Sequence, residues 1–479
     1  MIDPLFQDIA AQFPFEPTAE QAVAMNRLAI FVNDPAPRQV FLMKGYAGTG
    51  KTAIISSLVR ALVHRHRRVV LMAPTGRAAK VFSNTSGFQA CTIHKKIYRQ
   101  KSIVDMGSFQ LDRNIHEHTV FLVDEASMIS NEGLSGSTFG TGRLLDDLIS
   151  YVYSGTDCRL LMLGDQAQLP PVGERESPGL SAQVLSSYGL NVSVFCLENV
   201  MRQMQESGIL HNATALRDYA RGVGKPGGFR FKLDGFNDVV KISGSDLIET
   251  LNGCYSRDGI DETMVLCRSN KRANVYNNGI RNTILDREDE LCRGDSIMIV
   301  KNNYFWTEHM IADGDADSYA DIPSFIANGD IAVIRRVRRE RELYGFRFED
   351  AVLSFPDYDD LEMEVTLLLD TLHSESPSLT REESDKLFNS VMEDYAGIPS
   401  KKKRMENLRD NRYFNALQIK YAYAVTCHKA QGGQWKNIFI DQGFIPEDGR
   451  DEEYYRWLYT ALTRATQTVY LVNWPEEKA

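Results

Sequence analysis

Several features that would send a protein out of a reducing, aqueous compartment are missing from this 479-residue chain. Its seven cysteines are odd in number and scattered, with no C-x-x-C pair, which excludes a disulfide framework and a structural zinc site. No apolar run approaches the ~18 residues that a membrane-crossing helix needs. The first eight residues carry Asp3 and Asp8 where a secretory signal would carry bases. A cytoplasmic protein with no membrane contact is expected. Positive charge is scarce too: 54 Lys and Arg stand against 64 Asp and Glu, a net charge of −10. That excludes a uniformly basic coat and confines any nucleic-acid contact to a local groove. Hydrophobic content of 43% and charged content of 25% describe an ordinary globular chain. At about 150 residues per domain its length predicts roughly three or four domains.

What is present is organised around Gly45-Tyr46-Ala47-Gly48-Thr49-Gly50-Lys51-Thr52, which fits G-x-x-x-x-G-K-[ST] at every fixed position. Val40–Met43 before it is a short apolar run suited to a buried parallel strand, and Ala53–Leu62 after it continues as a helix. In this strand–loop–helix setting the glycines let the backbone curl, so that its N–H groups and the positive helix end face a polyphosphate. Lys51 adds a mobile charge near the β- and γ-phosphates, and Thr52 offers a hydroxyl to Mg²⁺. A nucleoside-triphosphate site is the premise for the rest.

More strands end in polar sets, at the edge where ligands bind in such sheets. Val69–Ala73 leads into Pro74, Thr75 and Gly76-Arg77; Cys91-Thr92-Ile93-His94 places a hydroxyl and an imidazole on a short expected strand. Either pair also reads as capping or core groups. Thr119–Val123 ends in Asp124 and Glu125, two carboxylates that are costly against a buried strand unless used. Asp124 suits the Mg²⁺ shell and Glu125 the attacking water. Arg159–Leu163 runs into Asp165 and Gln168; Gln168 suits γ-phosphate sensing, although Asp-Gln before Pro-Pro also makes a turn. Arg202 and Arg464, far apart in sequence, suit a γ-phosphate enclosed from two sides, and a surface ion pair is the plain alternative for each. Thr18 and Gln21 form a capping box, while the amide of Gln21 could instead read an adenine edge. One amide cannot do both at once.

The ordered set Gln21, GYAGTGKT, APTGRAAK, CTIHK, LVDEASM, LGDQAQLPPV, NVMRQ, VTCHKAQG (425–432) and YTALTRA (459–465) resembles the motif series of superfamily-one helicases. It is most similar to the RecD and phage Dda branch. Gly294-Asp295, Asn302-Asn303-Tyr304 and Asn328-Gly329-Asp330 resemble later markers of that branch. The resemblance implies an α/β fold of two RecA-like P-loop domains with parallel sheets, a β-hairpin pin insertion and an SH3-like subdomain with extensions. The implied boundaries are 1–95 and 117–200 for domain 1A, 96–116 for the pin 1B, 201–301 and 418–479 for domain 2A, and 302–417 for subdomain 2B. It implies an ATP-dependent 5′-to-3′ DNA helicase that moves along single-stranded DNA and opens duplexes. Its cofactors are ATP and Mg²⁺.

Carried over by motif, Lys51, Asp124, Glu125, Gln168, Arg202 and Arg464 are the catalytic set. Gln21, Gly48, Thr49, Gly50, Lys51 and Thr52 bind nucleotide, and Thr52 and Asp124 hold the metal. Pro74, Thr75, Thr92, His94, Phe109, Thr426 and His428 face DNA, with Phe109, ahead of Tyr98, meeting the terminal base pair from the hairpin at 96–118. The implied partners are single-stranded DNA, single-strand/duplex junctions and single-stranded-DNA-binding, replication or repair proteins, for a monomer. Trp306 to Ile326 and Pro356 to Lys403 read as additions of this chain's own, and Arg335–Arg339 as a solvated strand face ahead of a DNA track. The alternative function is a DNA-stimulated ATPase that remodels or loads protein–DNA complexes without productive unwinding.

Overall fold

The computed structural model describes residues 3–100, 109–133, 140–201, 206–223, 229–313, 323, 325–446 and 450–474. Internal contacts divide the chain into two compact units: Met1–Lys241 with Ala430–Ile440 and Phe444–Ala479, and Ile242–Lys429 with Asp441–Gly443.

The first unit is built on strands β1 (Gln39–Gly45), β2 (Arg68–Ala73), β3 (Ala90–Thr92), β6 (Thr119–Val123), β7 (Arg159–Gly164) and β8 (Asn191–Leu197), a parallel sheet in the order β3-β2-β6-β7-β1-β8. Strands β6 and β7 are buried along their whole length, as is Gln39–Met43 of β1. This is why they read as continuous apolar runs rather than as alternating ones: both faces of a parallel sheet are covered. Part of the cover is the helices Ala19–Asn33 and Lys51–His64, whose Met25, Leu28, Ile54, Ile55, Leu58 and Leu62 have no exposed surface. Each such side chain contributes about 1.5–3 kcal/mol on burial. Because β6, β7 and β1 are neighbours, three consecutive carboxyl ends deliver the phosphate loop, Asp124-Glu125 and Asp165–Gln168 to one edge.

An insertion between β3 and β6 carries the short helix Ile93–Ile97 and the antiparallel strands β4 (Tyr98–Gln100) and β5 (Phe109–Leu111), with Gln100 opposite Phe109. His94 therefore lies on a helix, not on the strand expected for it. Thr92 accepts from the amide of Lys95 and caps that helix, so the chain turns where extended structure was expected. All but the last residue of β9 (Val239–Ile242) and of β17 (Trp435–Asp441), and the whole of β18 (Ala465–Val472), also belong to this unit, with β17 and β18 parallel in the register Ile438 to Val469. The helix Glu452–Leu462 buries Tyr454, Leu458, Tyr459 and Leu462 on one face.

In the second unit β10 (Thr263–Cys267) pairs in parallel with β16 (Ala424–Thr426), and β11 (Ser296–Ile299), β12 (Ile331–Leu343), β13 (Phe346–Phe355), β14 (Leu361–Leu368) and β15 (Leu417–Tyr421) close into a barrel. Strand β14 corrects the reading of 356–403 as a pure addition. Its alternating Met363, Val365 and Leu367 face the barrel, which this stretch completes. The rest of the stretch supplies the helix Arg381–Asp394 and the start of the helix Lys401–Arg409, and their Leu387, Val391 and Leu408 pack with Phe346, Phe348 and Leu368. Of the basic run on β12, Arg335 and Arg338 reach acids of β14 or the turn before it (Asp360, Glu362, Glu364), as a solvated strand face requires. Asp295 is fully buried between Arg281 (3.0 Å) and Arg287 (2.6 Å), and those guanidiniums hold its carboxyl below the usual range despite burial. No helix among the described residues is long and apolar enough to cross a membrane.

Candidate nucleotide site

The loop after β1 closes through left-handed glycines, Gly48 at φ 74° and Gly50 at φ 85°, and the helix Lys51–His64 starts at the second. A Cβ at Gly50 would lie 2.5 Å from Nε2 of Gln21, so both conformation and space require glycine there. The Thr49 hydroxyl donates inward to the carbonyl of Tyr46 (2.8 Å), bracing the loop from below. Lys51 Nζ donates to the carbonyls of Tyr46 (3.0 Å) and Gly45.

These residues open onto a cavity of ≈ 660 Å³ lined by Gly48, Gly50, Lys51, Thr52, Asp124, Glu125, Gln168 and Arg464. Asp124 leaves β6 with its carboxylate accepting from the amide of Glu125 (2.8 Å). Burial, and then the neighbouring Glu125 charge, push it up to about 7, with Lys51 and the amide bond opposing. Glu125 takes a left-handed backbone (φ 49°), which turns its side chain away from the strand line. Its carboxylate lies 3.8 Å from Arg464, a guanidinium 4% exposed that also donates to the carbonyls of Thr460 (3.2 Å) and Gly433 (3.3 Å). Gln168 is buried, and its Oε1 has no hydrogen-bond partner. A buried amide oxygen of this kind costs about 1–3 kcal/mol unless something donates to it, so it marks where a water or ligand donor fits.

Thr52 and Asp124 fit a divalent cation. A hydroxyl and a buried carboxylate line one cavity, and a double positive charge beside the two acids would favour their ionised forms.

Gln21 fills the capping role and more. Its Oε1 accepts from the amide of Thr18 (3.0 Å), while its Nε2 donates to the carbonyl of Thr49 (3.1 Å). Arg202 lies outside the described residues. Pro74 and Thr75 follow β2 and Thr92 ends β3, which pairs with it (Ala73 opposite Thr92), so these groups share one sheet edge. Both hydroxyls cap helices, Thr75 accepting from Ala78 (3.2 Å) and Thr92 from Lys95 (3.1 Å). Burial lowers His94 to about 4, so its imidazole is neutral at pH 7. Phe109 is 8% exposed, so contact with a base pair requires the ring to be uncovered; residues 101–108, between the paired strands, lie outside the described set. Thr426 ends β16, and His428 follows it in the second unit.

Two groups, one lining the cavity and one buried behind the phosphate loop, had no assigned role in the sequence. Tyr46 fills a variable position of the phosphate loop, and its hydroxyl accepts from Gln166 Nε2 (2.6 Å). Tyr459 is five residues before Arg464; its hydroxyl donates to Asp165 (2.5 Å) and accepts from the amide of Ala47 (2.9 Å). The only signal in the sequence was the position of Tyr459 at the head of YTALTRA.

Fold and site together define a RecA-like, phosphate-loop nucleoside-triphosphatase. The family model "AAA domain" matches residues 17–224, and "UvrD-like helicase C-terminal domain" matches 421–472. The ATP-dependent DNA helicase dda of Enterobacteria phage T4 is 23% identical over 274 residues, 54% of this chain and 55% of that one. The ATP-dependent RecD2 DNA helicase of Deinococcus radiodurans is 26% identical over 200 residues, 41% of this chain and 23% of that one. A Pif1 helicase from Bacteroides, solved in complex with ADP-AlF3 and single-stranded DNA, aligns over 95% of this chain and 92% of that one, at 15% identity and a TM-score of 0.46. The chain thus spans about half the length of one named relative and about a quarter of the other. With the motif order, these matches make the chain similar to the superfamily-one helicases of the Dda/RecD type.

Proposed function

We propose that the protein is an ATP-dependent DNA helicase that travels 5′-to-3′ on single-stranded DNA and opens duplexes at single-strand/duplex junctions. The observation that carries this reading is the gathering of Lys51, Thr52, Asp124, Glu125, Gln168 and Arg464 around one cavity, in a chain that also matches a helicase C-terminal family. Lys51 leaves its carbonyl partners to meet the β- and γ-phosphates. Glu125 orients and deprotonates the attacking water, Gln168 Oε1 accepts from that water, and Arg464 neutralises charge on the transferred phosphoryl group. Arg202 joins it there. When bound, Mg²⁺ supplies charge neutralisation between the phosphates, and Thr52 and Asp124 hold it. Pro74, Thr75, Thr92, His94, Thr426 and His428 form the DNA track, and the hairpin acts as the strand-separating pin. Residues 1–95 and 117–200 form domain 1A, 96–116 the pin, 201–301 and 418–479 domain 2A, and 302–417 an SH3-like 2B built on the barrel.

The test is unwinding of matched duplexes carrying a 5′ or a 3′ single-stranded tail, with ATP, beside Lys51→Ala. Opening of the 5′-tailed duplex alone, lost in the variant, is expected. DNA-stimulated ATP hydrolysis with neither duplex opened would favour remodelling of protein–DNA complexes instead.

A further inference from the structure

Two consecutive residues of the phosphate loop are each tied to the segment after β7 by one phenol. Tyr46 bonds Gln166 through its own hydroxyl (2.6 Å), with Arg217 stacked over its ring at 4.4 Å. Ala47 is held through Tyr459, a side chain 1% exposed, whose hydroxyl takes the Ala47 amide proton (2.9 Å) and gives its own to Asp165 (2.5 Å). The next residue on that helix, Thr460, accepts from the amide of Leu169 (2.9 Å), and Gln431 donates to the Leu169 carbonyl (2.8 Å). The segment 165–169 is thus pinned at both ends, and between the pins sits Gln168 with its unpartnered Oε1. At the end of the same helix, Thr463 bonds back to the Tyr459 carbonyl (2.9 Å) and Arg464 reaches Glu125. Withdrawing Arg464 as part of this helix end would strip Asp165 of its phenol donor and leave the amide of Ala47 unpaired beside a buried carboxylate. Asp165 is buried and would keep the amide of Ala167 (2.9 Å) but lose its phenol donor, a loss that penalises withdrawal of the helix end.

We propose that Tyr459 is a positioning residue, whose hydroxyl fixes the phosphate-loop peptide at Ala47 only while the helix end that carries Arg464 is seated, so that loop geometry reports the presence of that arginine. The proposal rests on the nucleotide-site reading above and adds to it a residue that touches no phosphate.

The test is Tyr459→Phe, which removes one oxygen and keeps the ring. Site-resolved amide exchange of Ala47 in the nucleotide-free protein is expected to rise about tenfold or more. The Kd for a fluorescent ADP analogue is expected to rise about tenfold. Tyr46→Phe, which frees Gln166, is expected to leave Ala47 protected. Exchange and Kd both within about twofold of the parent in a folded Tyr459→Phe protein would overturn the proposal. Should that variant not fold, the parent protein still decides: slow exchange at Ala47 supports the tie, and exchange at the rate of an open loop amide overturns it. A parent protein that shows a protected Ala47 but binds no ADP would instead sink the nucleotide-site reading.

Discussion

Gln21 donates its Nε2 to the carbonyl of Thr49 at 3.1 Å, joining the first turn of the helix Ala19–Asn33 to the phosphate loop. With Oε1 on the Thr18 amide, both ends of the side chain are engaged inside the protein. Reading an adenine edge would therefore fall to the second N–H and the second lone pair of this amide, or to an exchange of one of these bonds. Gln21→Ala is expected to cost about 1–2 kcal/mol of stability through the lost cap and loop bond. If Gln21 also reads the base, the ratio of KM values for GTP and ATP falls toward one. A stability loss with the ratio unchanged would assign it to capping alone.

Arg464 is buried and lies 3.8 Å from the carboxylate of Glu125, the proposed activator of the attacking water. Arg464→Ala is expected to reduce DNA-stimulated kcat by about 10³-fold or more, because it removes transition-state charge stabilisation. Arg464→Lys should restore little, since an ammonium cannot hold the Thr460 and Gly433 carbonyls in the same fork geometry. Single-turnover kinetics would check this; a kcat within tenfold of the parent would remove Arg464 from the catalytic set.

The base of the hairpin is a packed structure. The hydroxyl of Tyr98 donates to Asp147 (2.7 Å), and the Phe109 carbonyl accepts from Gly140 (2.9 Å). Phe109→Ala is expected to abolish strand separation while leaving DNA-stimulated ATP hydrolysis within about threefold, if the ring or the hairpin it supports meets the junction. Parallel loss of both activities, measured on one forked substrate, would sink the pin assignment.

Asp330 closes the turn before β12, accepting from the amide of Ala327 (2.7 Å) and the hydroxyl of Tyr358 (2.8 Å). Burial dominates over these two donors and pushes its carboxyl up to about 7. The folded chain therefore binds this proton more tightly than the unfolded chain, whose carboxyl titrates near 3.9. Its contribution is fully present below about pH 4 and is lost as pH rises to about 7. Asp330→Asn keeps an oxygen for both donors and carries no charge. It is expected to raise unfolding stability by about 1–3 kcal/mol at pH 8 and by little at pH 4. Equal effects in urea melts at the two pH values would contradict this.

The nucleotide site was legible because its parts are local. A phosphate loop needs its glycines and lysine at fixed spacing, and Asp124 and Glu125 adjoin an apolar strand that cannot tolerate idle charge. Covered parallel strands announce themselves as unbroken apolar runs, so β1, β6 and β7 could be read directly. Strand β14 was readable in principle from its alternation, but its interrupted position masked it. Gly294-Asp295 and Asn328–Asp330, noticed as family markers, turned out to be structural: Asp295 is the buried centre of an ion cluster, and Asp330 closes a barrel turn.

By itself the sequence determined the α/β class, the phosphate-binding chemistry and the order of the motifs, because each depends on residues within a few positions of one another. The tertiary structure alone decided that Gln21 is doubly engaged, that Phe109 is covered and that Tyr459 bridges Ala47 and Asp165. The bonds from Gln21 to Thr49 and from Tyr459 to Ala47 join groups 28 and 412 residues apart, and they depend on which of several competing hydrogen bonds burial makes costly to leave unformed.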